Sequence, residues 1–553
     1  MKFPAIFSML SLLFIPPTAA TAQKPADIPR LYAEIAGDYE FYADQQYVVL
    51  GISVEKERLW GRQGGKSQEL RPVDLAQLRF KVEDPAKEQF AVFVRDKEGR
   101  ISAIRLITGP TESAGVKIPA GGRKPRPVDE PFPAEDLRSD LLQVRRGLEE
   151  IHPAVHGYID KAAFEGLYRR QLARIDGPKT LGEFYRIAAP LVAAVGCVHT
   201  ALSAPGDFWS AAPPRFFPLR IAFFGGRAYA LPSKPSSDQV LTGSEILSIN
   251  GRDISAISQD LKSLVSSDGG NDGYKTAVIG AIFAKLYAVQ YGFPGEFEAA
   301  ILPPGRTTAE KVRLRPVALS EIPADPSAEN TSTSSGDPNL DFKILPGDQS
   351  LAVMTISSFD YYTDPERAKF KGFIDAAFGR IREAGIRRLI LDLRSNGGGD
   401  PFCTTHLLSY LEPRPVPYFA RSYPAYERLA EPIPRAGKAF EGKLFVLIDA
   451  GCLSSTGHFC GVLRFHKIGT FIGTETGATY ECNDARRLIQ LEKTRFRLFV
   501  ARMTFTAAVQ GLPRYQGIVP DIAVVPGLDD VLSGRDPVME RARLFIARDE
   551  GTK

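Results

Sequence analysis

The sequence predicts a multidomain α/β protein in which a small all-β unit and a helical segment precede a parallel α/β core. The chain has 553 residues, enough for several domains at about 100 to 200 residues each. Hydrophobic residues make up 44% and charged residues 24%, which is typical of globular proteins. The apolar spacing changes along the chain from strand-like to helical and then to alternating strands and helices. Because 69 basic residues face 65 acidic ones, no nucleic-acid partner is expected.

Residues 1–22 have the pattern of a signal peptide. Lys2 precedes an apolar run, residues 3–15, and the segment ends in the small residues 20–22. This pattern predicts cleavage after Ala22 and export to the periplasm or the extracellular space. The run is shorter than the roughly 20 residues that span a bilayer, so no stable membrane span is expected after cleavage.

The cysteines and histidines form no metal-binding motif. There are 5 Cys and 6 His, with no C-x-x-C and no H-E-x-x-H pattern. The odd number of cysteines leaves at least one thiol without an intramolecular disulfide partner. The sequence therefore implies no metal and no cofactor.

Two regions of different periodicity precede the core. Residues 23–125 alternate short apolar stretches with turn signals, which predicts a small β domain. It ends in the glycine- and proline-rich linker 121–127. Residues 130–205 carry apolar residues at spacings of three and four, which predicts a helical segment that ends near His199.

Residues 206–316 return to strand-like patterns around an Asn-Gly turn. The segment from Gly243 to Arg252 reads G-S-E-I-L-S-I-N-G-R, and Asn-Gly is a strong hairpin signal. It resembles the PDZ family, whose members often carry a G-D-x-I-L-x-I-N-G segment, although Ser244 replaces the Asp. The resemblance implies a PDZ-like domain, while an unrelated β-hairpin remains the alternative. Residues 317–345 are predicted to be a linker.

The chemistry is expected in residues 346–530, which alternate strands and helices. Strands are predicted at 351–356 and 388–393, with a helix over 370–384 between them. The second strand runs into Gly397, Gly398 and Gly399, whose backbone can approach a ligand and turn its amides inward. A tight loop that needs positive φ explains the glycines equally well. Residues 531–553 are predicted to be a helix or a tail.

Ser454 lies between a predicted strand, residues 444–448, and a predicted helix. A helix N-terminus stabilises an anion, which suits a nucleophile. An ordinary helix cap is the alternative for this position taken alone.

Four segments in order resemble the carboxy-terminal processing peptidases and tricorn-core proteases of family S41. They are D-L-R-S-N-G-G-G at 392–399, C-L-S-S-T-G-H at 452–458, I-G-T-E-T-G-A at 472–478 and G-I-V-P-D-I at 517–522. The resemblance implies a ClpP/crotonase-like catalytic core and a serine-type peptidase. It implies a peptide or unfolded protein as substrate, with recognition of its C-terminus as one mode.

The same resemblance implies roles for individual residues. Ser454 matches the nucleophile, and the oxyanion donors are the N–H of Ser455 and the loop Gly397, Gly398 and Gly399. The Lys of the processing peptidases is absent, since its position is Thr479. The tricorn-like branch takes a His from the upstream helical region, and Gly196 to Thr200 resembles that segment, which favours His199 as general base.

Alternatives stay open around this assignment. His458, four residues after Ser454, is the rival base, and either His could be structural. Val198, Arg514 and Gly457 depart from the family pattern, so the group that orients His199 is open, with Glu475 as a candidate. A Cys452–Cys482 disulfide is a further hypothesis.

The alternative functions are a catalytically inactive peptide-binding protein of the same fold and a crotonase-like acyl-transfer enzyme. The altered supporting positions favour the first, and the oxyanion-forming core allows the second. The sequence leaves the oligomeric state undetermined.

Overall fold

The computed structural model describes residues 28–43, 46–63, 66–84, 88–96, 98–108, 111–118, 129–205, 216–232, 240–322, 336–345, 350–437 and 439–550. The predicted signal peptide, residues 1–22, and the linker 121–127 lie outside them, as does most of the serine-rich part of the second linker. Within the described ranges, no helix is long and apolar enough to cross a bilayer.

The chain divides into two compact units, residues 1–124 and 125–553. The first unit is a closed antiparallel β-barrel, in which each strand pairs with the next and β1 also pairs with β8. Its elements are α1 (Ile28–Ile35), β1 (Gly37–Ala43), β2 (Gln46–Glu55), β3 (Arg58–Gln63), β4 (Lys66–Asp74), β5 (Arg79–Val82), β6 (Gln89–Arg95), β7 (Ile101–Thr108) and β8 (Thr111–Ile118). Tyr39, Phe80, Phe93 and Ile104 are among the side chains that fill it. The predicted all-β N-terminal domain is confirmed.

Three helices open the second unit, as the spacing predicted. They are α2 (Ala134–Ile151), α3 (Lys161–Ala173) and α4 (Leu181–Ala193). Asp160 caps α3 by accepting from the N–H of Ala163, and Thr180 forms a capping box with Glu183 at the start of α4. Gly196 follows α4 with a φ of 69°, which turns the chain toward His199.

The middle region contains an antiparallel sheet and two helices. Its elements are β9 (Ala201–Ser203), β10 (Ile221–Phe224), β11 (Arg227–Ala230), β12 (Glu245–Ile249), β13 (Arg252–Asp253), α5 (Ile254–Lys262), α6 (Asp272–Tyr291), β14 (Phe297–Leu302) and β15 (Glu310–Leu314). The sheet order is β10-β11-β12-β14-β15, with β13 paired to β12. Asn250 and Gly251 turn the β12–β13 hairpin with φ of 51° and 75°, as the Asn-Gly pair predicted.

Two findings correct the expectation of strands alone across residues 216–316. Helices α5 and α6 occupy much of that region. Moreover, the helices before it and this sheet share one hydrophobic core, which contains Leu148, Phe184, Phe217, Ile246 and Phe283. The two regions that the sequence treats separately therefore pack as one body.

The core sheet has the order β16-β17-β18-β19-β20-β25, and all neighbours are parallel except the β16–β17 pair. The elements are β16 (Leu340–Ile344), β17 (Leu351–Ile356), α7 (Asp364–Glu383), β18 (Arg388–Asp392), α8 (Pro401–Leu411), β19 (Lys443–Ile448), α9 (Ser455–Phe465), β20 (Thr470–Gly473), β21 (Glu481–Asp484), β22 (Arg487–Gln490), β23 (Arg497–Val500), β24 (Met503–Thr506), β25 (Ile522–Ala523), α10 (Leu528–Ser533) and α11 (Pro537–Glu550). The parallel α/β core is confirmed.

Helices cover both faces of this sheet. On one face α7, α8 and α9 pack on residues such as Met354, Leu391 and Val446. On the other face α11 inserts Val538, Ala542 and Ile546. Such two-sided burial explains why the central strands are apolar throughout.

Candidate active site

Three loops that follow adjacent parallel strands form one edge of the core sheet. Residues 393–400 follow β18, residues 449–454 follow β19 and residues 474–479 follow β20. The carboxyl ends of neighbouring parallel strands meet at one edge, which is where open α/β sheets bind ligands. Asp449 joins the first two loops, because its Oδ1 accepts from the N–H of Ser395 at 2.8 Å and from that of Gly451 at 2.9 Å.

Ser454 has a strained backbone directly before α9. Its φ of 50° and ψ of −125° are unusual for a residue with a side chain, and its hydroxyl accepts no capping hydrogen bond from the first turn of the helix. A sharp strand-to-helix turn also presents the nucleophilic serine of the α/β-hydrolases. The N–H of Ser455, first in the helix, has no hydrogen-bond partner within the described chain. The ordinary-cap alternative for Ser454 therefore lacks the cap hydrogen bond that it requires.

Gly398 packs directly against the serine. Its φ is 100°, and a Cβ built on it would lie 2.7 Å from Ser454 Cβ and 3.0 Å from the Ser455 nitrogen. It would also lie 2.9 Å from the Leu453 carbonyl oxygen, so only a glycine fits against the serine at this position.

Asn396 fixes this glycine loop. Its Nδ2 donates to the carbonyl of Ile356 at 2.8 Å, and its Oδ1 accepts from the Gly398 N–H at 2.9 Å and from the Thr456 hydroxyl at 2.8 Å. The Gly398 amide is therefore occupied. Gly397 and Gly399 keep N–H groups without a partner among the described residues, so these two are the loop amides available to an oxyanion.

His199 lies in a tightly held loop. The N–H of Gly269 donates to the Gly196 carbonyl at 3.0 Å, and the N–H of Val198 donates to Asp268 Oδ1 at 2.9 Å. On the other side, the Thr200 hydroxyl accepts from the N–H of Ala501 at 3.1 Å. These hydrogen bonds hold the loop that carries His199 in place.

Strand β21 brings His199 and Ser454 to one place. His199 Nε2 lies 3.6 Å from Asp484 Oδ2. The Ser454 hydroxyl is within hydrogen-bonding reach of Cys482, a thiol whose pKa burial raises well above its usual range. Cys482 and Asp484 are two residues apart on a strand, so their side chains share one face and lie roughly 7 Å apart. Serine and histidine therefore lie over the same face of β21, next to different residues of the strand, without a direct hydrogen bond between them in the described structure.

Two carboxylates flank the His199 ring. The second carboxylate is the buried Asp268. Burial raises the pKa of Asp268 to about 6, and the nearby His199 ring offsets part of that rise. Asp268 Oδ2 and His199 Nδ1 are both buried without a hydrogen-bond partner in the described residues. The site therefore offers negative charge to a protonated imidazole from two sides.

Glu475, the candidate for orienting His199, lies elsewhere. Its Oε1 accepts from the N–H of Gly517 at 2.8 Å, so it ties the loop after β20 to the Gly517–Ile522 segment. Asp484 holds the position beside the histidine instead. Asp484 and Asp268 were missed because each is distant in sequence from His199, and a lone Asp outside a motif carries no signal.

The rival base His458 is enclosed in the core. It is 2% exposed, and the rings of Tyr418 and Phe419 meet it edge-on. Burial lowers its pKa to about 4, so the ring is neutral at ordinary pH. Such surroundings favour a structural histidine over a proton shuttle.

The structure corrects the disulfide hypothesis. All five cysteines, Cys197, Cys403, Cys452, Cys460 and Cys482, are buried free thiols. Cys452 Sγ instead donates to the carbonyl of Leu393 at 3.1 Å.

Comparisons with known proteins find one family model and several solved structures that are similar to this chain. Residues 350–524 match the model of peptidase family S41. The crystal structure of mature CPAF is similar with a TM-score of 0.50 at 13% identity, covering 72% of this chain and 94% of that one. The photosystem II D1 C-terminal processing protease matches with a TM-score of 0.36 at 15% identity, over 72% of this chain and 96% of that chain. The tricorn protease matches with a TM-score of 0.35 at 13% identity, over 93% of this chain and 46% of that chain. No curated protein sequence matches.

Proposed function

The chain belongs to peptidase family S41, and from that premise we propose that it cleaves peptides with Ser454 as nucleophile and His199 as general base. The observation that carries the proposal is the convergence of both side chains on one face of β21. The strained backbone of Ser454 and its place at the start of a helix support the same role.

In the proposed reaction, Ser454 Oγ attacks the peptide carbonyl while the His199 ring accepts its proton. The ring then returns the proton to the leaving amine, so the C–N bond breaks and an acyl-enzyme remains on Ser454. Water, deprotonated by the same ring, hydrolyses the ester. The Asp484 and Asp268 carboxylates would stabilise the imidazolium that forms in each step.

The oxyanion would lie beside Ser454, between the start of α9 and the glycine loop. The N–H of Ser455 is one proposed donor, and its nitrogen borders the position that a Gly398 Cβ would fill. Gly397 or Gly399 would supply the second donor. Two such amides in a water-poor site lower the barrier by a few kcal/mol.

The test is covalent labelling of Ser454 by a fluorophosphonate, followed by intact mass. Wild type should gain one adduct, Ser454→Ala none, and His199→Gln should react at least roughly 100-fold more slowly. Ser533→Ala is the matched control, because Ser533 is exposed and outside the site, and this variant should still be labelled at Ser454. Peptide cleavage by the labelled and unlabelled protein would then be compared.

A folded wild type that never reacts would contradict the catalytic proposal and favour the peptide-binding alternative. An adduct that persists in Ser454→Ala would assign the nucleophile elsewhere. Labelling that His199→Gln leaves unchanged would remove His199 as base.

We further propose that the chain is exported and that the antiparallel sheet of residues 221–314 captures an extended peptide. Strand β10 and strand β15 form the two edges of this sheet in the described chain, and an edge strand can pair with a peptide backbone.

Export predicts a mature N-terminus at Gln23, which mass analysis of the N-terminal peptide would check. Peptides with free and amidated C-termini, compared by fluorescence polarisation with Ser454→Ala protein, would test recognition of a C-terminus.

A further inference from the structure

Three side chains with metal-binding atoms converge at the His199 ring. Cys197 Sγ, a ring nitrogen of His199 and a carboxylate oxygen of Asp268 all lie within 4.8 Å of one another. We propose that these side chains bind one Zn²⁺ ion and that the bound ion inhibits the peptidase reversibly by occupying the general base.

The donor set fits zinc. A thiolate sulfur, an imidazole nitrogen and a carboxylate oxygen are the three ligand types that zinc takes in proteins, whereas Mg²⁺ and Ca²⁺ prefer oxygen alone. Tetrahedral bonds of about 2.0 to 2.3 Å put neighbouring donors roughly 3.5 Å apart, so atoms that now lie up to 4.8 Å apart need to approach one another by about 1.3 Å. A fourth position remains for water.

Unpartnered atoms point to the same site. Asp268 is 5% exposed, and its Oδ1 accepts from the N–H of Val198 while its Oδ2 is buried with no partner in the described chain. His199 Nδ1 is buried without a partner in the same region. Buried polar atoms are costly when unpaired, and a cation between them would satisfy both.

The surroundings also suit a metal. With Nδ1 on the ion, the Nε2 of His199 would face Asp484, whose Oδ2 lies 3.6 Å away. A carboxylate behind the second nitrogen is the usual support of a metal-binding histidine. The backbone bonds between Gly196 and Gly269 and between Val198 and Asp268 hold the two ligand loops together.

The inhibitory consequence rests on the proposed function of His199. A ring nitrogen bound to zinc has no lone pair for the serine proton, so acylation of Ser454 would slow. Binding itself does not depend on that function, because it uses only the three side chains.

Binding is tested by equilibrium dialysis of the full chain against Zn²⁺, with the metal measured by atomic absorption. Wild type should hold one ion per chain, and Cys197→Ser and Asp268→Asn should each weaken binding at least roughly tenfold. Cys403→Ala, which removes another buried thiol, is the matched control and should bind as wild type does. With Co²⁺, wild type should show a thiolate charge-transfer band that Cys197→Ser lacks.

Inhibition is tested by fluorophosphonate labelling with and without Zn²⁺. Zinc should slow the labelling of wild type, a chelator should restore it, and Cys197→Ser should respond at least roughly tenfold less to zinc. Thermal unfolding checks that each variant is folded, and if Cys197→Ser does not fold, His199→Gln replaces it in the dialysis, which does not depend on labelling.

Zinc binding that persists in folded Cys197→Ser and Asp268→Asn would overturn the site. Binding that is lost in both variants, while zinc leaves wild-type labelling unchanged, would overturn the inhibition. If no condition labels Ser454, the proposed function fails, and the dialysis and Co²⁺ spectra still decide whether the metal site exists.

Discussion

Asp484 is the carboxylate that pairs with the His199 ring, with Oδ2 3.6 Å from Nε2. Its negative charge would stabilise the imidazolium formed when Ser454 loses its proton. We expect Asp484→Asn, which keeps the side-chain shape, to slow fluorophosphonate labelling roughly 100-fold. In a His199→Gln background the same change should cost little more, because the ring through which Asp484 acts is gone.

Glu475→Gln is the control for this prediction. It keeps an Oε1 that can accept from the Gly517 N–H, so labelling should stay close to that of wild type. If Glu475→Gln slows labelling as much as Asp484→Asn does, Glu475 is the group that acts on the base. If Asp484→Asn stays fully reactive, Asp484 has no role in positioning the ring.

Adjacent glycines in the loop after β18 differ sharply in the space around them. A Cβ on Gly398 would meet Ser454 Cβ at 2.7 Å, whereas a Cβ on Gly397 would meet nothing within 4 Å. We expect Gly398→Ala to reduce labelling at least roughly 100-fold because the methyl group would collide with Ser454 and displace the nucleophile. Gly397→Ala keeps its amide and should lose far less. Equal losses in the two variants would contradict this geometry.

The Asn396 side chain joins three elements at the site. It bonds to the end of β17 through Ile356, to the glycine loop through Gly398 and to α9 through Thr456. It is fully buried, so Asn396→Ala would leave three polar groups without partners. We expect the unfolding free energy to fall by about 3 kcal/mol or more in urea denaturation, with a parallel loss of labelling.

Thr456→Val is the comparison for Asn396. It removes one of the three hydrogen bonds and keeps the side-chain shape, so the loss of unfolding free energy should be about 1 kcal/mol. A similar loss in both variants would mean that the amide does not hold the other two elements.

At the scale of elements, the sequence predicts those strands and helices that have a regular apolar spacing, and it does not predict a helix that lacks one. The strand 351–356 and the helix after Ser454 were found from their apolar spacing. The first core helix begins at Asp364 instead of residue 370, since Thr363 and Glu366 form a capping box in an exposed, polar first turn. Helix α6 was missed because its apolar residues surround the whole helix and include β-branched and aromatic side chains, which removes the amphipathic signal.

The sequence predicts those residues of the candidate site that lie within local motifs. Ser454, the glycine loop and His199 lie in recognisable segments, and the structure brings those segments to one sheet edge and one strand face. Asp268, Asp484 and the role of Asn396 depend on contacts between distant segments, such as the Val198–Asp268 hydrogen bond. Such contacts follow from tertiary packing, which no local pattern encodes.

At the scale of the whole molecule, stability should depend on a buried histidine outside the site. His152 is 6% exposed, its Nδ1 accepts from the N–H of Ala154 at 3.1 Å, and its Nε2 is buried without a partner in the described chain. Burial lowers its pKa from 6.5 to about 4. The neutral ring is therefore favoured in the folded state, whereas the unfolded chain takes up a proton first.

The sign of the pH dependence follows from that difference. The contribution of His152 to stability is complete above pH 6.5, declines as the pH falls from 6.5 and is lost near pH 4. We expect the unfolding free energy of the second unit to fall by about 2 kcal/mol between pH 7.5 and 5 from this group alone. His152→Asn retains an acceptor for the Ala154 N–H but cannot titrate, so its stability should fall less over the same range. Urea denaturation at both pH values measures the difference, and equal slopes for wild type and variant would show that the His152 ring is protonated in the folded protein as readily as in the unfolded chain.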